Sequence, residues 1–205
     1  MALSKKINDS RRAYEFPFQA PMITALHEEL REIRYTGDVI AVREEALELF
    51  ETGTELKLAQ GRSYKNLFAT SLYMACIRVG VPIRFEEFVN ALPTGISLMK
   101  SLLNSFSQEG YKLLPDYMAF LERYCRQLRI MEWLFDVKST YLATKVLHIG
   151  KNPHAHIGGC IYWISTLHNG GPTQKRIAEL TGVTPVAVRV SFQRIRELYA
   201  TRKKK

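Results

Sequence analysis

The chain has 205 residues, 46% of them hydrophobic, and a formal net charge of +9. That length and composition support a packed core and exclude global disorder. No uninterrupted apolar run of about 18 residues occurs, so no membrane-spanning helix is expected, and the opening Met1-Ala-Leu-Ser-Lys-Lys lacks the apolar stretch of a signal peptide. In chain order, residues 1–20 read as a flexible, extended arm. Apolar residues then recur at helical spacing, predicting helices over 21–35, 38–58, 63–79, 84–91, 96–110, 115–129, 131–148, 153–168, 173–181 and 184–200. Gly80-Val-Pro82, Pro93-Thr-Gly95 and Gly170-Gly-Pro172 punctuate them. Residues 201–205 form a basic tail. Strand signals are scarce, so the fold class is all-α.

The ten segments fall into two sets of five at a constant offset of 89. Gly61-Arg62-Ser63 lines up with Gly150-Lys151-Asn152, Leu72-Tyr73 with Ile161-Tyr162, Arg84 with Thr173, Phe88 with Ile177, and Lys100 with Arg189. A gapless shift across that distance points to duplication. The first repeat then covers 21–110 and the second 111–200. Each has one helix apolar on most sides, Leu67 to Ile77 and Ile157 to Ile164, which belongs in the middle of its bundle. Gly158-Gly159 costs the second of these helices about 1 kcal/mol per glycine relative to alanine. The pair is expected to permit a close helix contact.

A sharper signal lies between Thr173 and Arg189. Ala178, Gly182 and Val188 have the A-x3-G-x5-V spacing of a helix-turn-helix. Thr184 suits an N-cap and Pro185 the first helical position. On that second helix Val186, Arg189 and Gln193 share the outward face, while Val188, Phe192 and Ile195 point inward. Val186 can meet a thymine methyl, and Arg189 can donate to guanine O6 and N7. The same residues also fit a plain helical hairpin carrying a solvated or phosphate-bound arginine. Residues 171–205 hold nine basic and two acidic side chains, which favours a polyphosphate partner. Residues 21–60 hold four basic and nine acidic side chains, a segment that faces solvent or a basic partner. Ser63 and Asn152 are N-cap residues. The helix N–H groups beside Arg62 and Lys151 suit phosphate anchoring, and ordinary capping explains them equally well.

Two stretches carry a family resemblance. Gly-Arg-Ser, then Leu-Tyr-Met-Ala-Cys-Ile-Arg and Val-Pro-Ile-Arg-Phe-Glu-Glu, resemble the first cyclin-like repeat of the transcription factor IIB family. Gly-Lys-Asn-Pro, then Cys-Ile-Tyr-Trp-Ile-Ser and Pro-Thr-Gln-Lys-Arg-Ile-Ala-Glu-Leu-Thr-Gly-Val-Thr-Pro-Val-Ala-Val-Arg, resemble its second. The resemblance covers residues from about 21 to 200 and implies two tandem five-helix cyclin-like domains, the second with the helix-turn-helix. It implies a general transcription initiation factor core whose partners are promoter DNA, the TATA-binding protein and RNA polymerase. Arg62, Ser63, Lys151, Asn152, Thr184, Val186, Ala187, Arg189 and Gln193 would contact DNA, with Val186 and Arg189 reading the element upstream of TATA. Lys100 would lie near the TATA-binding protein. A monomer in a nucleus follows, or in the cytoplasm for an archaeal chain.

The chain also departs from that family. Its members normally carry an N-terminal zinc ribbon and a linker into the polymerase. Only Cys76 lies in the first 120 residues, so no four-cysteine site can be built there and no cofactor is expected. Either a core fragment of a longer protein or a divergent paralogue accounts for this, and the fragment is the expectation. Near Lys100 the family often has adjacent basic residues that this chain lacks, which weakens the expected contact.

Other chemistry is hard to find. Cys76, Cys125 and Cys160 lie far apart in apolar contexts and read as buried thiols of a reducing compartment. His148, His154 and His156 do not converge, because positions i and i+2 diverge on a helix. No nucleophile or acid–base motif is present, and no enzyme is expected. Two rivals remain: a stand-alone helix-turn-helix regulator, and a cyclin-like module that binds only protein.

Overall fold

Each of the ten segments predicted to be helical contains an α-helix, with some ends shifted. The computed structural model describes residues 16–60, 63–92, 94–148 and 152–202, apart from the side chains of residues 148 and 202. In chain order the helices are α1 Gln19–Glu32, α2 Val39–Glu55, α3 Tyr64–Val79, α4 Phe85–Ala91, α5 Ile96–Gln108, α6 Tyr117–Gln127, α7 Leu134–Thr144, α8 Pro153–Leu167, α9 Gln174–Thr181 and α10 Pro185–Arg202. Among the described residues there is no strand. The chain forms two units that divide between Asp116 and Tyr117, each with its own core.

In the first unit α3 is the central helix. Every residue from Leu67 to Ile77 is buried. Phe50 and Phe68 meet edge-on at 5.4 Å between ring centres, joining α2 to α3. The expected arm ends sooner than residue 20. Phe16 stacks on Phe18 and on Tyr64, and α1 begins at Gln19. Residues 1–15 lie outside the described residues, as does the tail over 203–205. Tyr111 and Leu113 pack on the first core, so that unit runs on to Asp116 instead of ending at 110.

In the second unit α8 is central and buried from His156 to Ile161. The helix expected over 131–148 is interrupted. Met131–Trp133 and Lys145–His148 are 3-10 turns, with α7 between them. Cys125 and Cys160 are buried in this unit. Loss of hydration pushes both thiols up to about 12, which keeps them protonated and unreactive near neutrality.

The offset of 89 survives in the coordinates. α3 and α8, α4 and α9, and α5 and α10 each begin 89 residues apart. The buried pairs Phe88/Ile177, Met99/Val188 and Phe106/Ile195 share that spacing, and all six residues are 0% exposed. The first helices of the two sets depart from it, since α1 begins at Gln19 and α6 at Tyr117.

Gly158 and Gly159 lie where α8 meets the helix-turn-helix. A Cβ at Gly158 would sit 3.1 Å from the Val188 side chain and 3.2 Å from Ile177, at methyl groups that can yield. A Cβ at Gly159 would lie 2.5 Å from Ser191 Oγ and 2.9 Å from the Phe192 backbone nitrogen. Backbone cannot step aside cheaply. Gly159→Ala is therefore expected to lose about 1–3 kcal/mol to overpacking while regaining at most about 1 kcal/mol of helix propensity. Its chemical denaturation midpoint should fall, and that of Gly158→Ala should fall much less.

Candidate nucleic-acid interface

The helix-turn-helix forms as its spacing demands. Thr173 Oγ1 accepts the Arg176 N–H at 3.2 Å and opens α9. Ile177 and Ala178 are buried against α8 and α10. α9 ends at Gly182, whose φ of 68° lies in the left-handed region that glycine adopts without strain. The Val183 N–H closes the turn on the Ala178 carbonyl at 3.1 Å. Thr184 then caps α10, its Oγ1 accepting the Ala187 N–H at 3.1 Å.

α10 divides into an inner and an outer face. Val188 and Ile195 are fully buried, and Ser191 nearly so. Phe192 is half-buried against Tyr162 and Trp163. On the outer face Val186 is 55% exposed, and Arg189, Gln193 and Arg194 are exposed. Ala187 is half-buried at the edge of the turn. Among the described residues Arg189 and Arg194 make no ion pair, so both guanidinium groups face water and can meet an anion. Arg196 is drawn aside: its guanidinium lies over the Phe192 ring at 5.7 Å and lines an open cleft of about 580 Å³ with Trp163 and Tyr199. Val190, 38% exposed, extends the apolar part of the outer face. The sequence reading passed over it, although its spacing of four from Val186 puts both on one side of a helix.

The remaining candidates lie elsewhere. Ser63 and Asn152 are exposed N-caps of α3 and α8, accepting the Lys65 N–H at 3.2 Å and the His154 N–H at 2.9 Å. Arg62 and Lys151, proposed to anchor phosphates beside them, lie outside the described residues. Lys100 is exposed on α5, its ammonium 5.8 Å from the centre of the Phe85 ring. The acidic segment forms a stripe along α2, where Glu44, Glu48, Glu51 and Glu55 are all exposed at helical spacing. His154 and His156 part ways. His154 sits among the rings of Tyr117, Phe120 and Tyr124, whereas His156 is buried against Thr144. Among the described residues no group of three His, Cys, Asp or Glu side chains is placed to hold a metal ion.

Comparison with known proteins gives a consistent picture. The model of the transcription factor TFIIB repeat matches residues 23–107, within the first unit. Transcription initiation factor IIB 7 of Halobacterium salinarum is 28% identical over 158 residues, covering 75% of this chain and 49% of its own length. Transcription initiation factor IIB of Methanothrix thermoacetophila is 28% identical over 164 residues, 76% of this chain and 48% of its own. That of Pyrobaculum islandicum is 29% identical over 157 residues, 74% and 47%. The chain thus spans about half the length of the curated relatives it matches.

The Thr184 cap is the most local test of how the interface is built. Thr184→Ala removes the acceptor for the Ala187 N–H and is expected to cost about 1 kcal/mol. Denaturation followed by circular dichroism should show that loss, with frayed signals at the first turn of α10.

Proposed function

We propose that the chain, which is similar to transcription initiation factor IIB proteins over about three quarters of its length, acts in transcription initiation by binding a promoter complex of DNA and the TATA-binding protein. In this reading it helps assemble RNA polymerase and acts by binding alone, without a cofactor. The observation that carries it is the outer face of α10, where Val186, Arg189 and Gln193 stand exposed on a capped helix of a complete helix-turn-helix. The N-terminal part of such a helix enters a major groove. Arg189 offers a bidentate donor for a guanine, and Val186 an apolar contact for a thymine methyl. Arg194, further along the helix, supplies sequence-independent attraction to phosphate. Ser63 and Asn152 cap the exposed starts of α3 and α8, where helix N–H groups suit backbone anchoring, and Arg62 and Lys151, their neighbours in sequence, would add charge to it. Lys100, the one basic residue of the first unit's corresponding helix α5, would face the TATA-binding protein. The relatives are archaeal, which favours the cytoplasm of an archaeon over a nucleus.

A regulator that works alone is the main competitor, since it too would use a helix-turn-helix. A module that binds only protein needs no outward arginine on a capped second helix, and Arg189 speaks against it. Gel-shift titration of a TATA-containing duplex, with and without TATA-binding protein, separates the readings. Tight binding only in its presence is expected; equally tight binding without it would favour the stand-alone regulator. In the same assay Arg189→Ala should cost about 1–3 kcal/mol on the preferred sequence and relax discrimination at one base pair. Arg194→Ala should weaken all duplexes alike and reduce the salt slope by about 1.

A further inference from the structure

The inner face of α10 carries one polar side chain that no DNA contact uses. Ser191 is 8% exposed, and its Oγ lies 3.3 Å from His156 Nδ1 on α8. His156 is itself 3% exposed, and its Nε2 lies 3.0 Å from Thr144 Oγ1 at the end of α7. The direction of these bonds follows from proton counting. The Thr144 hydroxyl has one hydrogen, and the 2.7 Å contact to the Thr140 carbonyl, which can only accept, uses it. Thr144 therefore accepts from His156, which places the ring proton on Nε2. In a neutral ring with that proton, Nδ1 is an acceptor and the Ser191 hydroxyl donates to it. One imidazole thus ties the end of α7 to the middle of α10.

The first unit supplies an internal comparison. At the offset of 89, His156 corresponds to Leu67 and Ser191 to Leu102, and both leucines are 0% exposed. An apolar contact is non-directional and tolerates rotation of a helix about its own axis. A hydrogen bond is angular and tolerates little. The hydrogen-bonded pair occurs in the unit whose corresponding helix carries Arg189, while two buried leucines stand at those positions in the unit whose helix carries Lys100. Gly159 makes room for the serine, since a Cβ there would stand 2.5 Å from Ser191 Oγ.

We propose that His156 is a positioning residue for α10, its Nδ1 holding Ser191 so that the outer face of the helix keeps one rotational setting. The consequence for sequence readout rests on the promoter-binding reading above; the setting of the helix does not.

Two variants split the imidazole into its halves. His156→Gln keeps an amide donor where Nε2 stood and removes the acceptor for Ser191. His156→Asn keeps an amide oxygen near the place of Nδ1 and loses the reach to Thr144. Native-state hydrogen exchange reads the setting without DNA. With His156→Gln, amides of α10 from Val188 to Arg196 should exchange about 3- to 10-fold faster, while α6 amides from Phe120 to Cys125 stay unchanged. His156→Asn should leave α10 near the wild-type rate. Ser191→Ala, a milder change made from the other side, should reproduce His156→Gln. Equal acceleration of α6 and α10, or equal effects of the Gln and Asn variants, would mean that His156 only stabilises the unit, and would overturn the proposal. In gel shifts with TATA-binding protein present, His156→Gln should narrow the affinity ratio between preferred and scrambled duplexes by about 3- to 10-fold, with His156→Asn restoring it. If the wild-type protein binds no duplex, the promoter reading falls, while the exchange comparison still decides the role of His156.

Discussion

The second unit depends on one close approach, that of α8 and α10 at Gly159. A single carbon added there would stand 2.9 Å from the backbone nitrogen of Phe192. The missing side chain sets how deeply α10 can lie. That depth brings Val188 and Ile195 into the core and lets α9 close over Ile177 and Ala178. Since α10 is one rigid helix, what is buried also decides what is exposed. Val186, Arg189 and Gln193 face outward because Val188, Ser191 and Ile195 face in. The interface is therefore set from its buried side.

Corresponding positions of the two units show where the duplicated pattern was kept and where it was released. Core positions stayed apolar, as at Met99/Val188 and Phe106/Ile195. Outward and capping positions diverged. α5 opens at Gly95 with no side-chain cap, whereas α10 opens at Thr184 with its hydroxyl in place. α4 opens at Arg84, whose N–H is bonded by Glu87 at 2.9 Å, whereas α9 opens at Thr173 with an ordinary hydroxyl cap. The start of α5 exposes Ile96 and Leu98, with Lys100 as its one cation. One fold thus supports two different helix surfaces, an apolar one with Lys100 on α5 and one with Arg189 and Arg194 on α10.

Much of this was legible because it rests on short-range rules. Period-3.6 patterning located all ten helices, and Ala178, Gly182 and Val188 fell where a helix-turn-helix needs them. Helix ends were harder to see. Arg34, Lys57 and Arg129 take left-handed conformations, with φ of 55°, 55° and 60°, so three helices stop before the punctuation a glycine would have given. The packing of Phe16 and Phe18 was hidden because it requires Tyr64 and Phe68, distant in sequence. The pairing of His156 with Ser191 was hidden for the same reason. Only the fold brings residues 35 apart in sequence to 3.3 Å.

Charge then decides which part of α10 can lead. The first two and a half turns, Pro185 to Gln193, contain Arg189 and no carboxylate, and they include the positive end of the helix dipole. Beyond them Glu197 enters, and Arg196 turns to the Phe192 ring and the adjoining cleft. In the first unit the four exposed glutamates of α2 add a field that repels polyphosphate. The start of α10 thus offers Arg189 with no carboxylate beside it on the helix, at the point where the Thr184 cap and the Gly182 turn fix the backbone. On the promoter-binding reading, a duplex approaching that point would meet Val186 and Arg189 first, which would turn a phosphate-driven encounter into a base-reading contact.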